Sequence, residues 1–199
     1  GNQVKGVWTR ASVDGVRSFG ELSGRTMLVV GLGGIGTQVA KRAHALGMRV
    51  IATRGSCREG PDYVDYVGLA PEAITLAKEA DVVVNAAPLT SATKGMFNEA
   101  FFTAMKSSAY FINVGRGESA VTADLIKALN DGQIAGAGLD VTDPEPLPPE
   151  HPLWSIPRVL ITPHVAALSM ETLGRIQALL AENLRRYVAG EPLLSTVDV

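Results

Sequence analysis

The sequence predicts an α/β protein built on one doubly wound parallel sheet, and three observations carry that prediction. From residue 26 onward, short β-branched runs alternate with helical patterns, the order of consecutive βαβ units. Most of those runs are apolar without interruption, as strands covered on both faces are. The first run empties into a glycine-rich turn, Gly31, Leu32, Gly33, Gly34, Ile35 and Gly36, that opens directly onto an amphipathic helix.

Strands are expected at residues 26–30, 48–53, 66–68, 82–86, 110–114, 134–141 and 159–162. The first helix carries Ile35, Val39, Ala43 and Leu46 as its apolar stripe and stops at Gly47. Pro71 stands where a first-turn proline belongs. Thr122 is expected to cap the helix bearing Leu125, Ile126 and Leu129. Ser169 is expected to cap a long helix striped by Leu173, Ile176, Leu180, Leu184 and Tyr187 and closed by Gly190 and Pro192. Residues 143–157, with six prolines, form a stiff loop because a strand resumes directly after them. No internal repeat is present. The expected organisation is a connecting segment over residues 1–24, a dinucleotide-binding domain over 25–190 and a return segment over 191–199.

Composition narrows the class. The 199 residues are 46% hydrophobic and 19% charged, ordinary for a soluble globular protein. Eighteen basic residues against twenty acidic ones, without a run of like charge, argue against a nucleic-acid partner. A lone cysteine, Cys57, excludes an internal disulfide and, with three scattered histidines, argues against a metal site. No apolar stretch has the length of a membrane span, so a cytoplasmic protein is expected.

In a GxGxxG turn between strand and helix, the first glycine permits the tight turn and the second lets backbone approach a pyrophosphate. The third brings helix and strand together, and the helix amino terminus faces the phosphates. The competing reading is a glycine-rich turn without a ligand; its place inside a βαβ unit favours the dinucleotide. The second strand ends in Thr53 and Arg54, where an acidic residue would hold the ribose hydroxyls of NAD. A guanidinium there suits a 2′-phosphate, which tilts the choice toward NADP, with NAD as the alternative. A solvated Arg54, with Glu59 or Asp62 taking the ribose, is the competing reading.

Three further segments follow late strands, at the sheet edge where ligands of open α/β sheets bind. They are Gly115 to Gly117 around Arg116, Asp140 to Glu145, and Pro163 with His164. Arginine, carboxylate and histidine at one edge suit reduction of an oxo acid. The arginine holds the substrate carboxylate, the histidinium gives a proton to the carbonyl oxygen, and the carboxylate keeps that imidazole oriented and charged. Singly, His164 would pass for a structural histidine, Glu145 for a solvated side chain and Arg116 for a helix cap; their joint placement is the argument. His44 and His151 have no such setting and read as surface residues.

The runs GLGGIG, NVGRG at residues 113–117, GLDV with DPEP at 138–146, and TPH at 162–164 resemble those of the D-isomer-specific 2-hydroxyacid dehydrogenases, over nearly the whole chain. The resemblance implies a Rossmann fold, with Arg116 binding the substrate carboxylate, His164 as acid/base and Glu145 bonded to that histidine. It further implies that Asp140 meets the nicotinamide amide and that Pro88, Val114, Gly115 and Thr93 border the cofactor, as Arg116 and His164 also do. Arg54 resembles the arrangement of glyoxylate and hydroxypyruvate reductases that prefer NADPH. The family's second, substrate-side domain has no counterpart among these residues, so an excised domain or a fragment of a longer chain is expected, with Gly1 a tag remnant and the 199 residues inactive alone; a natural truncation that binds cofactor and nothing else is the further reading. The resemblance also implies a homodimer, in which Trp154 joins the contact or merely anchors its loop. The function expected is an NAD(P)-dependent reductase of a small 2-oxo acid. The alternative is a dinucleotide-sensing interaction module like the corepressors that share these residues.

Overall fold

The computed structural model describes residues 5, 6 and 20–196 and divides into two compact units, residues 1–161 and 162–199. Most of the expected connecting segment, and the last three residues of the return segment, lie outside the described residues.

In the first unit all seven expected strands are present, each end within two residues of its expected place: β1 (Thr26–Val30), β2 (Arg49–Arg54), β3 (Tyr66–Leu69), β4 (Val82–Asn85), β5 (Tyr110–Asn113), β6 (Gly136–Leu139) and β7 (Val159–Ile161). They form one parallel sheet in the order β3-β2-β1-β4-β5-β6-β7. The chain winds outward from β1 in one direction and from β4 in the other. Their boundary is therefore a topological switch point, where connecting loops part and leave a crevice.

Strand pleating sends alternate residues into two cores. Val29, Val50 and Ala52 pack with Ala40 and Ala43 of α1 (Gly34–Ala45). Leu28, Val30, Ile51, Val83, Phe111 and Leu139 pack on the opposite face with α2 (Ala73–Ala77), α3 (Glu99–Ala104) and α4 (Thr122–Asn130). Phe97, Phe101, Phe102 and Phe111 meet there with ring centroids 4.8–6.4 Å apart, mostly edge to face.

Helix ends depart from expectation in physically simple ways. The buried face of α1 is Gly36, Ala40 and Ala43, whereas Ile35 is 59% exposed and Leu46 57%. A helix pressed closely onto a strand selects small residues for the contact, so of the expected stripe Ala43 and Val39 face the core while Ile35 and Leu46 do not. Pro71 lies in a short 3-10 turn, Ala70–Glu72, that leads into α2. Thr122 is the first residue of α4 rather than its cap, because its hydroxyl donates to the carbonyl of Asp143 at 2.6 Å. The helix α3 went unread because its six residues are too few to show a period; Asn98 caps it, accepting from the amide of Phe101 at 3.2 Å.

At the amino-terminal edge, Asp81 accepts from the Thr26 amide at 2.9 Å and from Lys106 at 3.0 Å, with Arg25 at 3.7 Å. Burial pushes this carboxyl upward, but the Thr26 amide and the two cations outweigh it and hold the group below its ordinary value.

The second unit contains α5 (Thr172–Ala189), which ends at Gly190 in the left-handed conformation, φ 68°. Its cap is Glu171; the Ser169 amide instead donates to the Thr172 hydroxyl at 3.0 Å. Beyond Gly190 the chain doubles back, with Asn183 and Leu194 exchanging bonds of 3.1 and 2.8 Å. Leu173, Ile176, Leu180, Leu184 and Tyr187 are all exposed. No helix among the described residues is long and apolar enough to cross a membrane.

Candidate active site

The carboxyl ends of the strands carry nearly every residue with chemical potential. At β1 the three glycines of the motif do separate jobs. Gly31 adopts φ +94°, and a Cβ there would lie 2.6 Å from the Ala87 backbone. A Cβ on Gly36 would lie 2.1 Å from the carbonyl oxygen of Gly31, so only glycine lets α1 sit this close to β1. Gly33 and Gly34 face open space, and Gly33 caps α1 without a side-chain hydrogen bond or any acidic residue in the first turn. The helix amino terminus thus presents amide groups and partial positive charge to open space, the setting that holds a phosphate.

Next along the edge, β2 turns at Thr53, whose carbonyl accepts from the amides of Gly31 at 3.1 Å and Leu32 at 2.9 Å. Arg54 is half-buried and donates to the carbonyl of Glu59 at 3.0 Å, an uncharged partner. Neighbouring Arg58 is instead taken by Glu72 at 2.8 Å. Hydrogen bonds from Tyr66, the Leu69 amide and Arg58 hold the Glu72 carboxyl down at about 2.

After β4, Thr93 pins a turn. Its hydroxyl donates to the Pro88 carbonyl at 2.6 Å and accepts from the Thr90 amide at 2.8 Å. The role of Thr93 is thus to shape the Pro88 segment. After β5, Gly115 and Gly117 are required by crowding: a Cβ on Gly115 would lie 2.8 Å from the Ala87 carbonyl oxygen, and one on Gly117 only 1.9 Å from that of Thr142. The loop bearing Arg116 therefore rests directly against the loop bearing Glu145. Arg116 and Glu145 are exposed at this meeting point, whereas Asp140 at the end of β6 is buried and its amide donates to Asn113 at 3.0 Å. Trp154 anchors the proline loop through its indole nitrogen, which donates to the Pro148 carbonyl at 2.8 Å.

His164 belongs to the second unit, three residues beyond the end of β7. Its backbone lies in the left-handed region, φ 53°, and its amide donates to the carbonyl of Thr162 at 3.0 Å. For a residue other than glycine that conformation is uncommon, and Arg158 and Ser195 share it among the described residues. His44 lies exposed on α1, and His151 accepts from the Leu153 amide at 3.3 Å.

Sequence reasoning passed over a buried polar group behind this edge. Asn85 and Asn113, 0% and 1% exposed, end adjacent strands in register, and their side chains bond at 2.9 Å. The signal was present in the strands VVVN and YFIN, each an apolar run closing on asparagine.

Residues 2–166 match the family model described as D-isomer specific 2-hydroxyacid dehydrogenase, NAD binding domain. The chain belongs to the D-isomer specific 2-hydroxyacid dehydrogenases. Among curated relatives of this dehydrogenase domain, the human glyoxylate reductase/hydroxypyruvate reductase is 36% identical over 178 residues, 89% of this chain and 54% of that protein. The glyoxylate reductase of Korarchaeum cryptofilum is 40% identical over 174 residues, 86% of this chain and 51% of that protein. A solved NADPH-dependent glyoxylate/hydroxypyruvate reductase from Sinorhizobium meliloti, in complex with NADP and sulfate, superposes with a TM-score of 0.86 at 32% identity, covering 99% of this chain and 61% of that one. The dehydrogenase domain thus spans about half the length of the curated relatives it matches.

Proposed function

We propose that this domain, within its full-length polypeptide, reduces a small 2-oxo acid to the D-2-hydroxy acid with a nicotinamide dinucleotide. The observation that carries the reading is the sheet edge itself, where a glycine-rich helix terminus without a side-chain cap follows β1 and the abutting loops of Arg116 and Glu145 follow β5 and β6. The residues present fit the dinucleotide. The open backbone at Gly33 and Gly34 receives the pyrophosphate, exposed Ile35 covers its neighbour, and Thr53, Pro88, Thr93, Val114, Gly115 and Asp140 border the remainder.

When bound, the nicotinamide supplies a hydride to the carbonyl carbon of the oxo acid. The protein does the rest. Arg116 grips the carboxylate with its planar fork, which fixes the face of the carbonyl presented. His164 gives its proton to the oxygen as charge develops there, and Glu145 holds the imidazole in orientation for that transfer. Residues 25–190 serve as the dinucleotide-binding domain, with 1–24 and 191–199 as connections. The full-length reductase is a homodimer of the cytoplasm, for which the exposed apolar residues of α5 offer a contact surface.

NADP is favoured over NAD because Arg54 ends β2 with a neutral carbonyl, that of Glu59, as its partner among the described residues, which suits it to a 2′-phosphate. Solved relatives at 30% and 32% identity contain NADP, which supports the same reading. The corepressor-like alternative has no particular observation in its favour. The test is substitution in the full-length polypeptide. His164→Ala should lower turnover by roughly 100-fold or more, and Arg116→Ala should raise the KM for oxo acids with a smaller loss of kcat. Full activity in both variants would overturn the assignment.

A further inference from the structure

We propose that Asn85, Asn113 and Ser119 form a positioning triad that locks the Arg116 main chain, and with it the carboxylate-binding guanidinium, to the end of β4. The proposal rests on the reading of Arg116 given above. Its geometry is closed. The Asn85 amide nitrogen donates to Asn113 Oδ1 at 2.9 Å and to Ser119 Oγ at 3.1 Å. Its carbonyl accepts from the Ala87 amide at 3.0 Å, the residue before Pro88. Asn113 Oδ1 also accepts from the Gly115 amide at 3.1 Å, while its amide nitrogen donates to the Arg116 carbonyl at 3.0 Å. Ser119 donates to that same carbonyl at 2.6 Å. Arg116 itself folds its Nη1 back onto the Gly115 carbonyl at 2.7 Å. The guanidinium is therefore tied to the peptide unit that joins Gly115 to Arg116, and the triad holds the peptide units on either side of it.

Three features separate this from ordinary core satisfaction. Asn85, Asn113 and Ser119 are all at most 1% exposed, so water cannot replace a lost partner. Side chains at strand ends in these two apolar runs would cost less as valine or isoleucine; amides are repaid only because they aim at the loop backbones. Those backbones, at 87, 115 and 116, belong to the two loops flanking the proposed cofactor and substrate positions. Asn85, Asn113 and Ser119 touch neither ligand in this account. They act through Arg116.

The test uses Ser119→Ala in the full-length polypeptide. This change removes the partner of one Asn85 amide hydrogen but leaves Asn85 bonded to Asn113 and the Arg116 carbonyl bonded to Asn113, so each buried amide keeps a partner and the fold persists at a lowered Tm. KM for the oxo acid should rise on the order of 10-fold, with kcat changed less and NADPH affinity nearly unchanged. The rise should vanish in an Arg116→Ala background, since an effect transmitted through Arg116 cannot add to its loss. Amide exchange at residues 115–117 should quicken while β1 stays protected. A variant that lowers Tm but leaves KM and exchange at 115–117 untouched would overturn the triad as a positioning device. So would a KM increase that persists in full without Arg116. If Arg116→Ala alone leaves KM unchanged, the carboxylate assignment fails instead, and exchange at 115–117 then decides whether the triad holds the loop.

Discussion

Three glycines within four residues should separate folding from binding when each is replaced by alanine. Gly36 is the packing position. Its added Cβ would stand 2.1 Å from the Gly31 carbonyl oxygen, against ordinary contact of 3.4 Å or more, so helix and strand must part by roughly 1 Å. Such overpacking costs about 1–3 kcal/mol, set against about 1 kcal/mol gained by replacing glycine inside a helix. The net loss should lower Tm by a few degrees, at roughly 2–4 °C per kcal/mol for a chain of this size. NADPH affinity should fall with it, because the Gly31 turn is what moves. Gly33 is the approach position: its φ is −92° and its Cβ would meet nothing. Gly33→Ala should keep stability within about 1 kcal/mol, the loss expected of a poorer cap, yet weaken dinucleotide binding by on the order of 10-fold or more through collision with the pyrophosphate. Gly34 also faces open space but meets the pyrophosphate through its amide alone, at a motif position that admits a side chain, so Gly34→Ala should keep that amide and fold and bind like the parent. Thermal unfolding and calorimetric titration with NADPH read both quantities on the same samples. Parental affinity in Gly33→Ala, or parental Tm and affinity in Gly36→Ala, would refute this division of labour.

Two further outcomes follow from charge. Arg54→Asp should weaken NADPH by about 1.5–3 kcal/mol more than NADH, the worth of a charge-assisted contact; equal losses for the two cofactors would leave Arg54 without a role at the ribose. Asp81 has a folded-state carboxyl held below its ordinary 3.8. It therefore contributes stability that is complete above that pH and is lost as pH falls through the lowered value. Asp81→Asn should cost about 1 kcal/mol at neutral pH, and acid unfolding should begin at a less steep slope. An unchanged acid limb would show that the Thr26 and Lys106 contacts are not coupled to folding.

The strands and the glycine loop were legible because strands buried on both faces leave uninterrupted apolar runs and because GxGxxG has a steric meaning at each position. The face of α1 was legible only in Val39 and Ala43, since close packing put Gly36 and Ala40 at the contact and left Ile35 outside. Likewise Thr122 looked like a cap, but a hydroxyl serves whichever carbonyl is nearest, here Asp143 in the proline loop. Arg116, Glu145 and His164 stood out by chemistry and spacing. The left-handed backbone of His164 and the bonds joining Asn85 to Asn113 did not, because both depend on which distant segments the sheet brings together.

The most direct measurement is the product itself. Full-length polypeptide incubated with NADPH and a panel of small 2-oxo acids whose products are chiral should consume the cofactor and yield the D-hydroxy acid alone, since the roles proposed for Arg116 and His164 fix which carbonyl face meets the hydride. Cofactor consumption should collapse in His164→Ala. Absence of consumption with any small 2-oxo acid, or a product that is racemic or of the L configuration, would contradict the account.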